Sequence, residues 1–191
     1  HFRPEGLEHQ YKVDLIPFGG IEASPNTIAW PPDMAVLMNV TGFADALAAA
    51  VSVEVSPGTS IAVASLPGIA ILKLFAWADR GQENPKDAID LVLLLRSYSD
   101  AGNASRIYEE ASAIAALEAV GYDLELAGAW LLGSDAAVMI SAQTNSDLEA
   151  LLHGPKRGKL IEDMARAMLG RHDALDYSRR LLEQFTKGFT A

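Results

Sequence analysis

Valine alternates with polar residues in VSVEVS (Val51–Ser56), the period of two expected of a half-buried strand. Pro57-Gly58 then turns the chain into SIAVASL, a second strand-like run. Upstream, Tyr11 to Phe18 is rich in β-formers and ends at Gly19-Gly20, which predicts another strand. Pro25, Asn26, Pro31 and Pro32 predict an ordered loop over Ala23 to Asp33. TGFADALAAA (Thr41–Ala50) carries strong helix formers after Gly42 and predicts a short helix. From Leu66 the period changes. LPGIAILKLFAWADR reads as a helix buried on most sides, with Pro67 near its first turn, where a missing N–H costs nothing.

After the break at GQENP, Asn84 is placed to cap a further helix, KDAIDLVLLLRSY. Pro85 would hold its first position and Asp87 its third, near the positive end of the dipole. The remainder reads as helical throughout. SRIYEEASAIAALEAV is bounded by Gly102-Asn103 and Gly121, and DLELAGAWLLG starts at an Asp123 cap and is expected to stop at Gly133. Ser146-Asp147-Leu148-Glu149 has the form of a capping box opening a short helix. GKLIEDMARAML and ALDYSRRLLEQF close the chain. The pattern predicts an α+β protein in three stretches: strands and loops over 1–65, a helical hairpin over 66–100 and a helical region over 101–191.

Composition narrows the function classes. At 191 residues with 50% hydrophobic content the chain has enough apolar material for a sizeable core. Its 15 basic and 25 acidic residues give a formal charge of −10, which argues against a broad nucleic-acid-binding face while allowing a local basic pocket. The absence of cysteine excludes disulfides and thiolate metal sites. The longest apolar run, AVASLPGIAILKLFAWA, is interrupted by Pro67 and Lys73 and reads as buried soluble structure, so a cytoplasmic location is expected.

Asp14 lies in the middle of the apolar run KVDLIPFGG. On a strand it would share a face with Ile16 and Phe18, with Val13, Leu15 and Pro17 on the other. An ionised carboxylate there needs a cation or hydrogen-bond donors. A structural salt bridge, a cap at a strand edge and a metal ligand all answer that need. Lys73 poses the mirror problem among Ile69, Leu72, Ala76 and Trp77, and Arg80 extends the same face. Asp87 and Asp90, three residues apart, share a face of the next helix. Two accounts fit these residues. In one, Lys73–Asp90 or Arg80–Asp87 ion pairs pin a helical hairpin. In the other, Lys73 and Arg80 face a triphosphate and the aspartates orient them, a lysine acting as a point charge and an arginine as a fork.

Other signals are weaker. Histidines 1, 9, 153 and 172 show no metal-ligand spacing, and the glycine signals FGG and GSD lack a Walker or dinucleotide pattern. PKRGK (Pro155–Lys159) fits a phosphate contact or, more simply, a solvated helix start. Trp77 and Trp130 read as core packing.

The segments VDLIPFGGIE, IAWPP and VASLPGIAILKLFAWADR…KDAIDLVLLL resemble the nucleotidyltransferases related to AbiEii/AbiGii-type toxins, within the DNA polymerase β-like nucleotidyltransferase group. The resemblance covers roughly residues 1–135. It is most specific in the pattern Lys-Leu-x-Ala-x-x-x-Arg then Lys-Asp-x-x-Asp-Leu, from Lys73 to Arg80 and from Lys86 to Leu91. It implies part of a nucleotidyltransferase-type mixed sheet followed by a helical body. It implies transfer of a nucleoside monophosphate from an NTP, with Mg2+ or Mn2+, to an acceptor such as RNA or a protein, and an antitoxin as partner. By this likeness Asp14 matches the third metal-binding carboxylate and, with Lys73, the catalytic pair. Lys73, Arg80, Asp87 and Asp90 fall at the nucleotide. The group's Gly-Ser…Asp-x-Asp motif would fall ahead of His1, so an upstream segment is expected to supply the other two carboxylates. Without that segment, the expectation becomes a catalytically inactive helical domain that binds a partner in a toxin–antitoxin-type system.

Overall fold

The computed structural model describes residues 14–22, 26–30, 32–81 and 83–191. The chain divides into two compact units at the boundary between Val40 and Thr41. In the first unit, β1 (Thr27–Trp30) pairs antiparallel with β2 (Val36–Asn39), Thr27 opposite Asn39 and Trp30 opposite Val36. The loop expected over Ala23 to Asp33 therefore contains a strand. Its prolines flank the run TIAW in sequence without interrupting it, and β-branched and aromatic residues at alternate positions favour an extended backbone. Ile28 is buried in this unit. Asp14 to Phe18, expected as a strand, has irregular backbone, and Asp14 is exposed. The rest of that expected strand, Tyr11 to Val13, lies outside the described residues.

The second unit opens with α1 (Phe43–Ala48), the expected short helix after Gly42. The ribbon of β3 (Val51–Ser56) and β4 (Thr59–Val63) follows, antiparallel and turned at Pro57-Gly58, where Gly58 takes φ +77°. Its residues are exposed on both faces, so VSVEVS is a strand as its period predicts, without the burial that was expected of one face. The α+β class stands. Among the described residues the strands pair as two antiparallel hairpins, and most of the remainder is helical.

The helical part comprises α2 (Leu66–Arg80), α3 (Lys86–Ser97), α4 (Ala104–Glu109), α5 (Ala111–Ala119), α6 (Leu124–Met139), α7 (Ala142–His153), α8 (Arg157–Ala165) and α9 (Ala174–Phe189). The core lies between α6 and α9, with α2 and α3 laid against α6 and α8 against α9. Gly133 is central to that arrangement. A Cβ there would overlap the Phe185 carbonyl oxygen, and one at Gly188 would overlap the Trp130 carbonyl oxygen, so these glycines let the two helices cross backbone to backbone. The helix expected to stop at Gly133 therefore runs on to Met139. The stretch expected as one helix from Ser105 to Val120 is broken at Glu110, which is extended at φ −82°, ψ 122°. The capping box at Ser146 lies inside α7, which starts earlier, where the Ser141 hydroxyl accepts from Thr144 N at 3.3 Å.

Polar ties fix the helices in register. Arg106 grips Asp135 with both terminal nitrogens, at 2.7 and 2.8 Å, and donates to Glu110 at 2.6 Å, binding α4 to α6. Tyr98 donates its hydroxyl proton to the same Asp135. Burial first, then that bond, pushes its pKa well above the usual phenol value. Arg96 forks onto Glu125, which also receives the Tyr177 hydroxyl at 3.1 Å.

Candidate functional site

The side chains singled out on α2 and α3 come together. Ser65 caps α2, its hydroxyl accepting from Gly68 N, and Pro67 occupies the first turn as expected. The Asn84 side chain accepts from Lys86 N at 3.0 Å and starts α3, one residue later than the sequence suggests. These two starts set α2 and α3 as a hairpin whose facing sides carry Lys73 and Arg80 on one helix and Asp87 and Asp90 on the other.

Lys73 Nζ donates to Asp87 Oδ1 at 3.0 Å and to Asp90 Oδ2 at 2.6 Å. Arg80 Nε donates to Asp87 Oδ2 at 2.8 Å and Nη2 to Asp87 Oδ1 at 3.2 Å. Both candidate ion pairs form, and Asp87 serves both cations. Burial separates the members: the Asp87 side chain is 3% exposed, Lys73 25%, Asp90 36% and Arg80 57%. Burial by itself would raise the Asp87 pKa. The bonds from Arg80 and Lys73 outweigh it and hold the carboxyl below its ordinary value. Burial likewise works against the Lys73 ammonium, yet Asp90 and Asp87 raise its pKa, so it stays charged at neutral pH. With two cations and two carboxylates the network carries no net formal charge. It can present N–H donors to an anion, and it is held rigidly through Asp87.

Asp14 belongs to the other unit and is exposed on irregular backbone. Near it in sequence, Leu15, Ile21, Ile28, Trp30 and Met34 line an open apolar hollow of about 450 Å³. Apolar walls of that kind suit a hydrocarbon or aromatic group and cannot hold phosphate alone. A divalent ion wants several oxygen ligands, carboxylates above all. Among the described residues no group of three or more His, Asp or Glu side chains could hold a metal ion. Both oxygens of Asp87 are already taken by cations. The described donor set does not by itself fit a catalytic metal.

Sequence reasoning did not find Asp163, a fully buried carboxylate on α8. It accepts from Trp77 Nε1 at 3.1 Å and pairs with Lys159, so Trp77 is a polar tie as well as a packing residue. Lys156 donates to the Ala78 carbonyl at 2.8 Å and Arg157 to the Leu152 carbonyl at 3.2 Å. The PKRGK cluster is thus a helix start stitched to the C-terminal end of α2. The i, i+4 spacing of Lys159 and Asp163 was the one available signal of this site.

The architecture is α+β with a cation–carboxylate hairpin in its helical part, and the comparison with protein families sharpens that class. Residues 2–188 match the family described as nucleotidyl transferase AbiEii toxin, type IV toxin–antitoxin system. The chain belongs to this family, and the match extends through the C-terminal helices, well past the 1–135 span of the resemblance. No curated protein and no solved structure matches it.

Proposed function

We propose that the protein transfers a nucleoside monophosphate from an NTP to an acceptor hydroxyl, releasing pyrophosphate. The observation that supports this reading best is the Asp90–Lys73–Asp87–Arg80 network on the α2–α3 hairpin of a nucleotidyltransferase-family chain. The acceptor oxygen would form a bond to the α-phosphorus as the bond to the pyrophosphate oxygen breaks, its proton passing to solvent. Phosphoryl chemistry of this kind depends on positioning and on neutralising charge at the leaving group. Lys73 and Arg80 would meet the developing pyrophosphate charge, and Asp87 would hold both cations in place. The nucleotide would arrive with Mg2+ or Mn2+; Asp14, in the first unit, is taken by itself as our candidate for a carboxylate ligand to a divalent ion. Acceptors of the RNA or protein class, an antitoxin partner and a cytoplasmic location complete the reading. Among the described residues no helix is long and apolar enough to cross a membrane.

The neutral charge of the network favours a second reading, a catalytically silent domain that binds a protein partner. Charge reversal separates the two. Under the first reading Lys73→Glu abolishes magnesium-dependent binding of radiolabelled NTP and any transfer of label to a cell-extract acceptor. Under the second, the wild-type protein binds no NTP and Lys73→Glu lowers only its melting temperature.

A further inference from the structure

Lys73 divides its ammonium between two carboxylates that differ in what else holds them. Asp87 is nearly sealed from solvent and has both oxygens engaged by two cations. Asp90 is 36% exposed, and Lys73 is its only ion-pair partner among the described residues. Moving Asp87 away would strand a desolvated carboxylate and release two cations at once, which is costly. Moving Asp90 away releases one N–H of Lys73, and water can hydrate the departing carboxylate, so the exchange is cheap. An anion approaching this neutral network is attracted more strongly once one carboxylate gives way.

We infer that Asp90 is a displaceable placeholder on Lys73, which the polyphosphate chain of the nucleotide replaces, while Asp87 is the positioning residue that stays. This rests on the proposed reading of the site as a triphosphate site. Arg80 supplies the second contact without leaving Asp87. Its Nε and Nη2 hold the carboxylate, and Nη1 has no hydrogen-bond partner among the described residues on a side chain that is 57% exposed. Lys73 and Arg80 both touch Asp87, so one polyphosphate can reach the two together. In the resting protein Asp90 holds the Lys73 ammonium in place for its ligand, and it competes with that ligand for the same N–H.

Calorimetric titration of the full-length protein with inorganic tripolyphosphate and magnesium tests this. Asp90→Asn should tighten binding about fivefold, the scale of one half-exposed ion pair. In the double variant with Lys73→Ala the gain should vanish. Unchanged or weaker binding by Asp90→Asn, with the wild type still binding, overturns the placeholder role and leaves the triphosphate reading standing. A gain that survives Lys73→Ala is a general charge effect and overturns it equally. Absence of binding in every variant overturns both readings. Asp90→Ser reads the same quantity if Asp90→Asn loses its fold, which circular dichroism checks.

Discussion

Asp87 puts two opposing costs on one side chain: it is desolvated, and two cations recover that cost. Its pKa is held below the ordinary 3.8 in the folded state. A depressed folded pKa contributes stability that is complete above the unfolded value and is lost as pH falls below about 3.8 toward the folded value. Asp87→Asn should therefore remove about 2 kcal/mol at neutral pH, less than for a wholly buried pair because both cations keep access to water. Urea unfolding checks this, and the variant should lose less stability than the wild type between neutral pH and the acid limb. Much of this cluster was legible in the sequence, because a lysine among Ile69, Leu72, Ala76 and Trp77 needs an anion and Asp87 and Asp90 lie one short turn away. That Asp87 would take both cations was not legible, since the choice between carboxylates depends on how the hairpin is rotated. Asp163 was out of reach for a different reason: it meets Trp77 across 86 residues, a pairing that only tertiary packing creates.

Among whole elements, some signals local to a helix end read correctly, while the Ser146 capping box and the signals at helix crossings did not. Ser65 and Asp123 cap where their side-chain chemistry predicts, because a cap satisfies donors three residues away, whereas Asn84 stands one residue ahead of the Pro85 cap and accepts from Lys86 N there. Glycine is a poor helix former, which predicts a stop at Gly133, yet its missing Cβ serves the partner helix and the backbone continues through it. The same geometry makes a stability prediction. Gly133→Ala or Gly188→Ala places a methyl group against a backbone carbonyl oxygen of the facing helix, which cannot yield as a side chain would. Each should cost about 3 kcal/mol, the upper range for overpacking, in thermal or urea unfolding. Gly158→Ala is the control. A Cβ there meets open space within α8, and the change should stabilise by about 0.5 kcal/mol through helix propensity.

For the molecule as a whole, the hydrophobic pattern tells which residues could be covered, and only packing tells which are. α9 realises its pattern, with Tyr177, Leu181, Leu182, Phe185 and Phe189 buried against the rest of the helical core. The β3–β4 ribbon carries an equally clear pattern to the opposite outcome. Val51 pairs with Val63 and Val53 with Ile61, which places four aliphatic side chains on one face. All four are at least 36% exposed. Threonine is nearly isosteric with valine and shares its preference for strands, so Val→Thr reports burial with little change of shape or propensity. In a covered face each new hydroxyl would lack a partner and cost on the order of 1–3 kcal/mol. On an exposed face water satisfies it, and the paired change Val53→Thr with Val63→Thr should cost under about 0.5 kcal/mol, a shift in Tm of roughly 2 °C or less. The same pair should also raise the concentration at which the protein begins to associate, measured by light scattering, because it dilutes an uncharged aliphatic strip on a chain that otherwise carries a net charge of −10. A drop in Tm of several degrees would instead mean that this face is packed in solution, and that the alternation in VSVEVS encodes an interior surface.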